Sequence, residues 1–340
     1  MNGFSLQDLS DRLSNAITRQ ALHKYEKGEV VPDSKMIGLL CDAMNVRPDY
    51  FFRETQVELG EVEFRKLKSL PAKEEYKILE NAKDYLSRYL ELEDLLNIET
   101  KFVNPLKGWE PIDSFEKVQR AAEFVRKEWN LGSDPIFNAI ELLEDNHIKV
   151  IYIEAGDGFD GMQTWVLSHD IPVICINESR VKKDDRKRFT AMHELGHLLM
   201  PLSPELTEKA KEKLCHQFAA SILFPANELR KELGNFRNRI SIQELGSLKK
   251  QYGISMQAII ALSKDLKIIT EAYYKQLFFY FKKMDWRINE PVEYKGVEES
   301  NRFTQLLFRA LSEEIISISK AATLNNQKVA EFRQQSLIIG

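Results

Sequence analysis

The sequence predicts an α+β fold that is mostly helical, with one small β-sheet near its middle. Three observations carry that expectation. The first is a change of period. Residues 147–154, 163–168 and 171–177 are short strand-like runs, whereas the sequence on either side repeats its apolar residues at helical spacing. The second is the pair of long helical segments that follows, Asp184 to Met200 closed by Pro201 and Glu205 to Phe224 closed by Pro225. The third is that both ends of the chain read as helices broken by turns. A sheet packed by helices, flanked by helical modules, is the implied architecture.

Taken in order, Leu6 to Leu13 and Thr18 to Tyr25 read as two short helices joined at Ser14 to Ile17, with Leu9, Leu13, Ile17 and Leu22 as their core. Helical periodicity then runs from Glu61 to Leu96, broken at Pro71; its alternating charges suit an exposed or bridging helix pair. Asn104 to Pro111 contains two prolines and a glycine and marks the best domain boundary. Ser114 to Trp129 is amphipathic, and Pro135 to Asn146 reads as a helix with proline in its first turn. After the central strands and long helices come short helices around Leu245 and Met256, then the aromatic-rich Thr270 to Met284 and a loop around Asn289 to Gly296. The aromatic stretch reads first as core or subunit interface and second as a peptide-binding surface. Ile315 to Arg333 fits a helical hairpin or a degenerate second helix-turn-helix. The expected division is 1–60, a helical linker 61–104, 105–235, and a helical module 236–340.

Bulk properties exclude several classes. A net charge of -4 over 340 residues provides no whole-surface basic field, so any contact with DNA must be local. The sequence has no apolar run of about 18 residues and no basic-then-apolar start, so a cytoplasmic protein without membrane association is expected. Cys41, Cys175 and Cys215 lie far apart in apolar segments and read as buried reduced thiols.

Chemistry is concentrated in His193-Glu194-Leu195-Gly196-His197. Residues four apart on a helix differ by only about 40° in direction, so both imidazoles leave one face. Two nitrogen donors then come within reach of one Zn2+, and Glu194 lies beside them to hold a water and take its proton. Phe189, Met192, Leu195, Leu198 and Leu199 point in several directions around this helix; a helix apolar on most sides is buried, and its polar residues need partners. The next helix offers a third ligand, since Glu212 and His216 share a largely apolar face. Either Glu212 binds the metal with His216 supporting it, or the roles are reversed. Gly196 costs about 1 kcal/mol relative to alanine, which points to close approach of a neighbouring backbone. His169 reads as a loop histidine.

At the N-terminus Thr18 can cap the second helix. Arg19 and Gln20 suit guanine and adenine edges in the major groove, and His23 and Lys24 can add polar or phosphate contacts. Seven basic and seven acidic residues cancel over residues 1–53, so one module should bind weakly and a homodimer on a palindromic site is expected. A protein-interaction module is the other reading.

The run Arg188 to Leu199, followed by Glu212, Cys215-His216, Phe218-Ala219-Ala220 and Pro225, resembles the ImmA/IrrE family of metallopeptidases over roughly residues 114–230. The strand Pro172 to Asn177 and the lead-in Asp134-Pro135-Ile136 fit the same pattern. The resemblance implies a minimal zincin-like domain with zinc on His193, His197 and Glu212. It also implies cleavage of a specific repressor or antitoxin-like protein. Cys215 and His216 stand where that family usually has alanine and asparagine, which leaves the role of His216 open. The first 53 residues, through Arg19 to Gly28, Val31-Pro32 and Asn45 to Phe52, resemble the XRE-type helix-turn-helix family. They depart from it in lacking the helix that normally precedes Gly3-Phe4-Ser5, in placing Leu6 where glutamine is common, and in a longer turn at Asn15-Ala16.

Two functions from different classes follow. One is a zinc endopeptidase coupled to a DNA-binding domain, cutting a repressor, an antitoxin-like protein or itself. The other is a DNA-binding regulator or antitoxin whose zinc site is structural or vestigial. An open coordination position favours the first, and closure by four protein ligands favours the second.

Overall fold

The computed structural model describes residues 4–46, 48–52, 57–60, 71–156 and 158–336. They form two compact units, one from 1–58, 68–99 and 302–340 and the other from 59–67 and 100–301. The fold is α+β.

The first unit opens with α1 (Leu6–Arg12), α2 (Arg19–Glu26) and α3 (Ser34–Met44). Each starts at a side-chain cap: Ser5 with a reciprocal bond from Asp8, Thr18, and Asp33. Ser14 and Asn15 adopt left-handed backbone, which turns the chain between α1 and α2. Leu13, Ile17, Leu22 and Leu40 are buried together beneath them, with Leu9 partly buried against the cluster. Helix α4 (Ala72–Leu95) follows. The part of the expected Glu61–Leu96 periodicity that falls on residues 61–70 lies outside the described residues.

The second unit contains α5 (Phe115–Glu128), α6 (Ala139–Asp145), β1 (Lys149–Ile153), β2 (Gly161–Val166) and β3 (Ile171–Asn177). These are followed by α7 (Asp184–Leu199), α8 (Glu208–Leu223), α9 (Ala226–Leu233), α10 (Ile242–Tyr252), α11 (Met256–Asp265) and α12 (Glu271–Lys283). The sheet order is β1-β3-β2, with β3 parallel to β1 and antiparallel to β2. All seven residues of β3 are buried, which explains why its sequence is a continuous apolar run rather than an alternation. Helices α7 and α8 pack on one another and share a core with α5, the sheet and α9 to α12.

Arg126 of α5 is buried and spends its guanidinium on main-chain oxygens. It donates to Gly132, Ile222 and Asp134 at 3.0, 2.6 and 2.7 Å, tying α5 to the C-terminal turn of α8. The helix expected from Pro135 begins instead at Ala139. Asn138 accepts from the N–H groups of Ile140 and Glu141, and a side-chain cap defines that start more strongly than a nearby proline.

The C-terminal stretch, expected as one helical module from 236, divides between the units. Residues from Ile240 to Phe281 belong to the core around α7 and α8. Helices α13 (Arg302–Ser312), α14 (Ile318–Leu324) and α15 (Val329–Ser336) pack with α4, where Tyr85 and Tyr89 meet Phe303. Within α12 only Leu277 and Phe281 are buried, and Phe279 and Tyr280 are exposed, so the aromatic helix is core on one side only. The three cysteines are buried and none forms a disulfide. Among the described residues no helix is long and apolar enough to cross a membrane.

Replacing Arg126 with methionine leaves buried carbonyls without donors. Denaturant unfolding of that variant is expected to show a loss of roughly 3 kcal/mol; an unchanged midpoint would refute the role of this residue as the α5–α8 tie.

Candidate functional site

Helix α7 is buried along most of its length, with Ala191, Met192, Leu195 and Leu199 directed into the core and Asp184 and Asp185 in its first turn, where negative charge suits the helix dipole. Two glycines set how closely its neighbours approach. A Cβ on Gly196 would lie 3.2 Å from the Phe218 ring and 3.4 Å from the Cys215 Cα, so α8 crosses against bare backbone here. A Cβ on Gly161 would lie 2.6 Å from the Thr190 methyl and 3.1 Å from Glu194 Cγ, so β2 starts directly over the catalytic-type glutamate. Gly196 stands out in the sequence as a glycine inside a helical motif, whereas Gly161, at the start of a strand, carries no such signal.

These approaches bring His193, His197 and Glu212 together. The Nε2 atoms of the two histidines are 3.3 Å apart, Glu212 Oε2 is 3.1 Å from His193, and Glu212 Oε1 is 3.4 Å from His197. Among the described residues they form a group whose donor atoms could hold a metal ion. The histidine side chains are nearly buried and Glu212 is about one-third exposed, at 38%. His216 is not in the group. Its ring packs on His193 with centroids 4.2 Å apart, and its Nδ1 lies 2.7 Å from the Glu212 main-chain oxygen. A carbonyl only accepts, so Nδ1 carries the proton. Glu194 is buried beside Gly161. Below it, burial and then the Glu194 charge push the Cys175 thiol of β3 far up, which keeps it protonated. His169 is exposed in the turn at the other end of β2, away from this group.

His193, Glu194 and Glu212 line a cleft of about 700 Å³. Asn177 builds one wall. This fully buried side chain donates to Gly156 and Phe159 and accepts from Ala155 and Ser179, shaping the β1–β2 loop that reaches the cleft. Asp160 in that loop is held by Arg180 and Arg186. Opposite, Lys249 pairs with Asp185 at 2.5 Å and Glu290 at 2.8 Å, and Glu290 also accepts from the first N–H groups of α11. Burial alone would lower the Lys249 ammonium, but the two carboxylates hold it above its ordinary value, so it stays charged. Asn177, Lys249 and Glu290 carry no motif, and no local pattern singles them out.

In the first unit, Thr18, Arg19, Gln20, His23 and Lys24 are all exposed on or at the start of α2. Thr18 accepts from Ala21 at 3.3 Å as the cap, and His23 lies 3.8 Å from Glu26. The helix thus presents its polar face and buries Leu22.

Because Gly161 presses on the Thr190 methyl, Gly161→Ala is expected to cost about 1–3 kcal/mol, and adding Thr190→Ser, which deletes that methyl, should restore most of it. Additive losses in the double variant, read by thermal unfolding, would contradict the contact.

The chain matches no curated protein. Residues 1–51 match the helix-turn-helix family model. Residues 144–262 match the peptidase M78 model, described as the IrrE N-terminal-like domain, a span that starts later than the motif resemblance and runs on through α10 into α11. The chain is therefore similar to the helix-turn-helix family over its first 51 residues and to the IrrE N-terminal-like domain over residues 144–262.

Proposed function

We propose that this protein is a zinc-dependent, site-specific endopeptidase coupled to a DNA-binding regulatory domain, and that it cleaves a transcriptional repressor or antitoxin-like protein, or itself. The observation that carries the reading is the convergence of His193, His197 and Glu212, from two buried helices, with His193 and Glu212 in the wall of an open cleft. Zn–N and Zn–O bonds of about 2.0–2.2 Å at tetrahedral angles require donors about 3.3–3.5 Å apart. The separations of 3.1 to 3.4 Å lie at or just below that requirement, so the donors need only a slight spread to meet it. Three donors rather than four suit a site with a position left for water or substrate.

When bound there, zinc supplies Lewis acidity to a water and to a peptide carbonyl. The chain's own residues do the rest. Glu194 takes the proton of the attacking water and returns it to the leaving amine. Its burial against Gly161 and the sheet fixes the carboxylate at the cleft floor. His216 packs against His193 and restrains the imidazole, with its own tautomer set by the Glu212 carbonyl. Arg19 and Gln20 read base edges while Thr18, His23 and Lys24 add capping and phosphate contacts, and a homodimer supplies the second half-site that one charge-balanced module needs. A cytoplasmic location goes with this reading.

Glu194→Gln is expected to retain zinc and lose at least about 100-fold in cleavage. His193→Ala, His197→Ala and Glu212→Ala should lose zinc, and His216→Ala should keep it. Metal analysis of the purified variants, paired with cleavage of candidate repressors in cells, reads both; a Glu194→Gln protein that cuts like the parent would end the proposal. For the regulatory half, Arg19→Ala should weaken operator binding by about 1–3 kcal/mol in a gel-shift titration at fixed salt, and unchanged affinity would remove α2 from the interface.

A further inference from the structure

Four of the five carboxylates that line the cleft are accounted for. Glu212 belongs to the donor group, Glu194 is buried beside Gly161, and Asp185 and Glu290 both hold Lys249. The exposed rim is cationic. Arg180, Lys183 and Arg186, from the turn between β3 and α7 and the first turn of α7, stand there with Arg287, which follows α12. Asp160 is the carboxylate that remains for these four, and Arg180 and Arg186 share it at 2.6 and 2.9 Å. Lys183 rests on neutral acceptors, the Ile288 carbonyl at 3.3 Å and Asn289 Oδ1 at 3.4 Å. The Arg287 guanidinium lies over the Phe278 ring, 5.1 Å from its centroid. Neither Lys183 nor Arg287 has a carboxylate partner among the described residues.

This excess of positive charge stands on a chain whose net charge is -4, so it is a local feature and not the average of the surface. A cleft wall of one sign focuses its field into the cleft and favours occupants of the other sign. Its place along α7 gives a distance. At a rise of 1.5 Å per residue, Arg186 and Lys183 precede His193 by about 10 and 15 Å along the helix. An extended polypeptide covers that span in about three to five residues. Polynucleotides are anionic too, but a phosphate backbone asks for cations along its whole track. These cations are confined to one end of the cleft, and carboxylates line the floor beyond them.

We propose that the cleft selects polypeptide segments carrying aspartate or glutamate about three to five residues to one side of the scissile bond, with Lys183, Arg186 and Arg287 receiving those carboxylates. The placement relative to a cut rests on the endopeptidase reading; the preference for acidic peptide does not.

The test uses the full chain, freed of metal so that peptide carboxylates cannot report the donor group. The probes are two rhodamine-labelled peptides, one of alternating alanine and glutamate and one with glutamine in place of glutamate. Fluorescence anisotropy should show the glutamate peptide binding more tightly, and the difference should shrink as salt rises from about 0.05 to about 0.5 M. Arg186→Glu, and separately the pair Lys183→Glu with Arg287→Glu, should each weaken the glutamate peptide, the pair by about tenfold, at unchanged circular dichroism. All three side chains are exposed, and the two variants test the rim independently of one another. Equal affinity for both peptides, no binding of either, or unchanged affinity in the folded variants overturns the proposal. A thymidine oligonucleotide that displaces the glutamate peptide at lower concentration than the peptide itself, and loses this in the same variants, makes the rim a nucleic-acid contact and overturns it as well.

In parallel, the zinc-loaded parent digests a mixed peptide library. Enrichment of aspartate and glutamate on one side of the cut, lost in the charge-reversed variants, is the expected result. Cuts without such enrichment overturn the assignment of the rim while leaving the endopeptidase reading intact. Selective binding of the glutamate peptide without any cutting defeats the endopeptidase reading and leaves the acidic preference standing.

Discussion

The close crossing of α7 and α8 is the constraint from which the site follows. Gly196 removes the one Cβ that would hold the helices apart, and Cys215 and Phe218 of α8 settle against it. Only at that separation does Glu212, one turn before Cys215, reach the His193 and His197 nitrogens. The glycine costs helix propensity of about 1 kcal/mol, and the packing of two buried helices offsets it. The same logic repeats at Gly161, where β2 is laid over Thr190 and Glu194. Two bare backbone positions therefore set the spacing of all four residues of the site.

Much of this arrangement was legible in the sequence, and the parts that were not share a cause. His193, Glu194 and His197 follow from helical spacing on a helix apolar all round, and Glu212 with His216 from ionisable groups on an apolar face. The β3 strand was readable because a fully buried strand is a continuous apolar run. What local pattern could not supply were contacts between distant segments. Asn177 shapes the cleft through four bonds to main chain that no spacing encodes. Lys249 meets Asp185 across 64 residues of chain and Glu290 across 41. The helix start at Pro135 was misread because a cap three residues later, at Asn138, competes with it.

Buried charge is concentrated around α7. Arg188 is fully buried and lies 3.3 Å from Glu298, and it also donates to Tyr294 and to the Ile136 carbonyl. Glu298 accepts from Ala139 at the start of α6, and burial, opposed by Arg188, raises its carboxyl to about 7. Such pairs are weak sources of stability because desolvation cancels most of the attraction. Their effect here is positional. Arg188 binds the 290–298 loop through Glu298 and Tyr294, and Asp185, three residues earlier on α7, is linked to it through Lys249, which also holds Glu290; together they fix the helix that carries the metal-type donors in rotation as well as in depth.

These contacts also decide how much chain the cleft needs. A peptidase segment ending near residue 235 would keep His193, Glu194, His197 and Glu212 but would lose Lys249, Gln257 and Glu290 from the cleft wall. Asp185 and Arg188 would then be left in the core without their charged partners, Lys249 and Glu298, a worse state than never having been charged. The donor motif is therefore only half of the working unit. The other half is the helical segment to about residue 301, which closes the substrate side of the cleft and holds α7 at the angle its histidines require.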